Sequence, residues 1–235
     1  MISGAAFCPQ PPVLVPDLAG SAAPELDDLR DACRTAIRAV AAAGHQLVLI
    51  GAGPTSILHS PLARGTLAGF GLAGEIHLGA PTCGGALELP LALTVGAWLV
   101  RDTLGPRSSA IGISVGPDFS TSSAAVELLR LAEDSEIALV VLGDGSARRS
   151  VAAPGHLDER AEGFDAAVVS ALEAGDADSL AELDEKVGAE LMAVGVPAWR
   201  AVGSVLGAER YRTAVLADVA PYGVGYFIAT WLRDV

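Results

Sequence analysis

The chain has 235 residues, 51% hydrophobic and 18% charged, with a formal net charge of -13. That length suits one large α/β domain with a sizeable core, and so few charged residues leave little of the chain to read as disordered. The negative balance argues against a nucleic-acid partner, whose phosphates most of the surface would repel, and a chain whose single lysine is Lys186 has no polybasic membrane anchor.

A first strand is expected at Ser3–Phe7, broken by Cys8-Pro9-Gln10-Pro11-Pro12. A helix follows from Pro24-Glu25 to about Ala43, because Leu26, Leu29, Cys33, Ile37 and Val40 fall on one face. The apolar run from His45 to Gly51 reads as a strand ending in the loop Ala52–Ser56, and Glu75–Gly79 as another strand. The apolar segment 89–104 is helical, 109–116 is a strand, and 122–135 is a helix whose Ser/Thr-rich lead-in supplies a cap. The strand 137–145 ends abruptly at Gly143-Asp144-Gly145-Ser146. Helical segments then cover about 157–208, and the chain returns to strands at 211–220 and 221–232. Alternation of strand and helix predicts a three-layer α/β/α domain spanning 1–235, with a mixed or mostly parallel central sheet and a helical insertion before the last strands.

Mean hydropathy is +0.45, so a membrane span has to be weighed. The longest stretch without Asp, Glu, Lys or Arg, 39–63, is interrupted by Gly44, His45, Gly51, Gly53, Pro54 and Ser56, unlike a spanning helix of about 20 apolar residues. The start lacks the basic residues of a secretory signal, and Pro9, Pro11 and Pro12 break any apolar helix there, so a cytoplasmic protein is expected. Cys8, Cys33 and Cys83 have no C-x-x-C spacing and are expected to be reduced.

Several short motifs invite a chemical reading. Ile50–Ser56 lacks the third glycine of a dinucleotide fingerprint, and Pro54 lies inside the turn, so a tight strand-to-loop connection is the better account. Gly112–Gly116 matches the G-x-S-x-G nucleophile elbow, but Ser114 is expected within the strand, and only His156 follows as a base. His45, His59, His77 and His156 form no H-x-H or H-x-x-x-H chelate. His59, placed near a sheet rim, is favoured as structural. At the loop 143–150, the glycine amides, Ser146, Arg148 and Arg149 suit a carboxylate or phosphate. The competing reading has Asp144 capping the turn and pairing with an arginine, while Gly143 and Gly145 take positive φ.

Three segments in this order, AAFCPQPPVLVPDLAG, LVVLGDGSARRS with APGHLDERAEGFDAAV, and DVAPYGVGYFIATW, resemble a bacterial, largely actinobacterial family, the class III extradiol ring-cleavage dioxygenase subunit-B-like (LigB-like) proteins. More remotely the chain is similar to protocatechuate ring-opening dioxygenases and Memo-like proteins. The resemblance implies the α/β/α fold and, in active relatives, non-haem iron held by two histidines and a carboxylate, with a further histidine as acid/base. At the matching positions this chain has Gln10 before Pro11-Pro12, Gly53-Pro54-Thr55-Ser56 in the second loop, and Ala147 after Ser146; Asp218 could supply the carboxylate.

The expected function is therefore a LigB-like protein without the histidine-based iron site and with no cofactor. It would keep a small-molecule pocket for an anion or aromatic acid, lined by Gln10, Thr55, Ser56, Asp144, Ser146, Arg148 and Tyr222. One alternative is an extradiol-type dioxygenase using Fe(II) or another divalent metal on His59, Asp218 and Cys8 or Gln10. Another is a structural or regulatory subunit, a homo-oligomer or the partner of another chain.

Overall fold

The computed structural model describes residues 1–44, 46–80, 89–116, 122–207 and 209–234. The expectations for His45 and Cys83 fall outside the described residues. In chain order the elements are β1 (Ile2–Cys8), the one-turn helix α1 (Pro16–Ala19), α2 (Asp27–Ala41), β2 (Gln46–Ala52), β3 (Ile57–His59), β4 (Arg64–Leu67) and β5 (Leu72–His77). These are followed by α3 (Leu91–Leu104), β6 (Ala110–Val115), α4 (Ser122–Asp134), β7 (Ile137–Leu142), α5 (Arg160–Ala174), α6 (Ala177–Ala181), α7 (Glu185–Glu190), α8 (Val196–Leu206), β8 (Tyr211–Val219) and β9 (Tyr226–Arg233).

A seven-stranded mixed sheet runs β3-β6-β2-β7-β1-β9-β8. Its four central strands, β6, β2, β7 and β1, are parallel to one another, while β3 at one edge and the β9-β8 hairpin at the other run antiparallel to their neighbours. All six residues of β7 are buried, as an apolar central strand covered on both faces requires. Helices α2 and α3 cover one face, with Cys33, Ile37, Val40, Leu93 and Leu99 packed on Ala6, Leu49 and Leu142. Helices α4, α5, α6 and α8 cover the other, with Leu128, Val168, Leu180, Trp199 and Val202 packed on Phe7, Val141 and Phe227. The fold is the three-layer α/β/α arrangement expected.

Sequence periodicity located α2, α3, α4, α5 and α8 to within a few residues, but several details differ. The helix expected from Pro24 is preceded by a 3-10 segment, Gly20–Leu26, and becomes the α-helix α2 only at Asp27. The strand expected at 75–79 is β5, and it pairs only with β4 in a separate two-stranded ribbon. Within the helical region expected at about 157–208, residues 177–190 form two short helices, α6 and α7, capped by Asp176 and Asp184, whose carboxylates accept from the Ser179 and Val187 amides. No described helix is long and apolar enough to cross a membrane.

Candidate functional site

The C-terminal ends of β1, β2, β6 and β7 open onto one rim, where sheets of this kind usually hold ligands. The loop after β7 runs on in extended fashion beside the entry to β9: the Gly145 amide donates to the Gly225 carbonyl at 2.8 Å, and the Gly225 amide to the Ser146 carbonyl at 3.0 Å. Neither Gly143 nor Gly145 has a positive φ, contrary to the turn reading. They are glycines because of close approach: a Cβ on Gly143 would lie 2.4 Å from the Gly195 Cα, and one on Gly145 would lie 2.7 Å from Asp165 Oδ1 and the Phe227 ring.

Most of the polar groups of this loop are committed to the fold. Ser146 is fully buried; its hydroxyl donates to the Leu191 carbonyl at 2.9 Å and accepts from the Arg148 amide at 3.1 Å. Asp165 on α5 accepts the Ser146 amide at 2.8 Å and the Arg149 guanidinium at 2.9 Å. Burial raises the Asp165 carboxyl, with the amide and Arg149 pulling the other way. The arginine thus pairs with Asp165, and not with Asp144 as the turn reading had it.

Asp144 has a different partner. Its Oδ1 accepts the backbone amide of Gln10 at 2.8 Å, joining the ends of β1 and β7. Asp144 is 8% exposed, and burial raises its carboxyl to about 7 despite that hydrogen bond. Its charge in turn helps raise the Tyr226 hydroxyl, which is principally shifted by burial among the residues packed on the α2/α3 face. Gln10 is 7% exposed, and its side-chain Oε1 is buried with no hydrogen-bond partner. A buried acid bound to the backbone of a residue whose own side-chain oxygen is orphaned is the polar centre of the rim.

The other expected site residues lie apart from that centre. Thr55 is exposed, and its carbonyl accepts from Ser114 Oγ at 2.8 Å; Ser56 Oγ accepts the Gly116 amide at 3.1 Å. The Arg148 Nε is buried without a partner; Asp158 is held low chiefly by its hydrogen bonds from Arg160, with a minor contribution from the Arg148 charge. Tyr222 is at the surface, where its hydroxyl donates to Glu25 at 3.2 Å. It shares with Arg149 a shallow cavity of about 390 Å³ that neither Gln10 nor Asp144 lines.

The alternative metal ligands do not converge. His59 belongs to β3 and Asp218 to β8, the opposite edges of the sheet, six strand spacings or roughly 29 Å apart. The Cys8 thiol is turned into the core against Cys33, whose own thiol that contact and burial raise. Among the described residues no group of three His, Cys, Asp or Glu side chains could hold a metal ion.

One pairing was invisible in the sequence. His59 Nε2 lies 3.0 Å from Ser114 Oγ, so the serine of the G-x-S-x-G segment does have an imidazole beside it. With the hydroxyl proton given to the Thr55 carbonyl, Oγ must accept from Nε2–H, the reverse of nucleophile activation. Ser114 and His59 are 1% and 2% exposed, which makes the pair a structural tie between β3 and β6.

No family model matches the sequence, and no curated protein does. Among solved structures the fold is similar to the crystal structure of the uncharacterized protein JW3007 from Escherichia coli K12. The match has a TM-score of 0.54 at 13% identity, over 98% of this chain and 99% of that one. At that identity the likeness establishes the shared fold.

Proposed function

We propose that the chain is a small-molecule-binding protein on a LigB-like scaffold, with a site centred on Gln10 and Asp144 in place of a histidine-based iron centre. The observation that carries this reading is the orphaned, buried Oε1 of Gln10, the residue whose backbone amide binds Asp144, a carboxyl that burial raises to about 7. An unpaired buried acceptor is costly unless a ligand or water supplies the missing donor. The residues do not fit iron: a neutral amide oxygen and a carboxyl held towards its protonated form are poor donors for a divalent cation. Asp144 would accept or donate a proton close to pH 7, which suits a ligand hydroxyl.

The preferred ligand is therefore a hydroxylated aromatic molecule that donates to Gln10. An anion has less to hold it, since Ser146 and Arg149 are already engaged. Differential scanning fluorimetry with 4-methylcatechol and its dimethyl ether tests the proposal. The catechol should raise the melting temperature, the ether should not, and Gln10→Leu should abolish the response. Equal responses to both compounds, or none to any hydroxylated aromatic, would overturn it.

A further inference from the structure

On the opposite, α8-covered face of the sheet the rim holds a cleft of about 690 Å³ that the Gln10–Asp144 centre does not line. Its floor is Ala52-Gly53 at the end of β2 and Val115-Gly116 at the end of β6; its roof is α7 and the turn leading into α8. The size falls within the range of ligand pockets, about 300–1,000 Å³. The lining is mostly apolar, and two of its large side chains, Met192 and Val194, are 42% and 44% exposed.

Met192 is the telling residue. It is the first residue past the C-cap of α7, its φ is 56°, and the Ala193 amide closes back onto the Gly188 carbonyl at 2.8 Å. Glycine is the usual occupant of that left-handed position, where a side chain costs roughly 1–2 kcal/mol. The chain accepts that strain and sets a flexible thioether at the cleft wall, the kind of side chain that adapts to apolar ligands. Strained non-glycine residues tend to persist where function needs them.

The mouth adds a charge. Glu185 is held by Arg200 at 3.1 Å, whereas Lys186, the sole lysine, has no ion pair among the described residues. We propose that this cleft binds a small carboxylic acid with an apolar body, the body lying against Met192, Val194, Val196 and Pro197 and the carboxylate on Lys186. In a chain of net charge -13, an exposed cation that has no ion pair among the described residues and stands beside apolar walls selects for such an amphipathic anion.

Isothermal titration of the full chain with 2-naphthoate tests this site. One equivalent should bind, and Met192→Gly should weaken it at least tenfold while the ligand-free melting temperature stays the same or rises, because glycine relieves the backbone strain. Val194→Asn, at a half-exposed position, should weaken it similarly and provides a second reading if Met192→Gly folds poorly. Lys186→Gln should cost naphthoate about two- to fivefold, as an exposed ion pair would, and leave 2-naphthalenemethanol unaffected. Absence of naphthoate binding at millimolar concentration, or undiminished binding by both apolar variants, would overturn the proposal. The titration uses no catechol, so its outcome is independent of the rim site.

Discussion

At Asp144 burial falls hardest on the ionised form, and the consequence for stability has a definite sign. A folded-state value of about 7 against an ordinary 3.8 means that the folded chain holds this proton over a range where the unfolded chain has released it. Stability from this group is thus fully present below about pH 4, declines as pH rises, and is lost above about pH 7. At roughly 1.4 kcal/mol per unit the ceiling is about 4 kcal/mol. Asp144→Asn keeps an acceptor for the Gln10 amide and removes the ionisation. It should stabilise the protein by about 1–3 kcal/mol at pH 8 and by little at pH 4, measured by urea denaturation at both values. A constant difference between the two would contradict burial as the cause. Asp165 behaves oppositely on truncation: Asp165→Ala would strand the Arg149 guanidinium and the Ser146 amide, and should cost about 3–5 kcal/mol in the same assay. The residue types of the loop marked it as a polar site, but not which partner each group takes. Gln10 and Asp144 stand 134 positions apart, and no local pattern announces that one caps the other.

Among the elements, the long helices were legible because an amphipathic stripe repeats over many turns, whereas β3 and β4 have three and four residues, too few to show a period. Missing β3 also hid the His59–Ser114 tie, since only the antiparallel register Ile57↔Ser114 brings the two side chains together. The extended loop after β7 shows how an element is fitted to its neighbours. Gly145 is required by close approach and not by a positive φ: contact with Asp165 and Phe227 excludes a side chain. Gly145→Ala should therefore destabilise by about 1–3 kcal/mol through overpacking, with the largest effect on unfolding of the α5-covered side, seen by hydrogen exchange of α5 amides. Unchanged stability would mean that the Phe227 ring and α5 can move aside freely.

For the molecule as a whole, the sheet separates two cores, each closed by its own helical layer. Ile37 lies in one and Val202 in the other, both fully buried. Ile37→Ala should cost about 2–5 kcal/mol and Val202→Ala somewhat less, and the double variant should equal the sum to within about 0.5 kcal/mol. Chemical denaturation followed by fluorescence and circular dichroism checks this; strong non-additivity would show that the layers communicate through the strands.

The sequence by itself determined the layered α/β/α class, the order of the central strands and the long helices, and the rim loops at which polar residues gather. Those features depend on local periodicity and on where apolar runs stop, and both are written along the chain. Which polar groups remain available was decided only by tertiary structure, because it depends on hydrogen bonds between segments far apart in sequence. Packing consumed Ser146 and Arg149, parted His59 from Asp218 across the width of the sheet, and left Gln10 Oε1 without a hydrogen-bond partner and Met192 on the wall of a cleft.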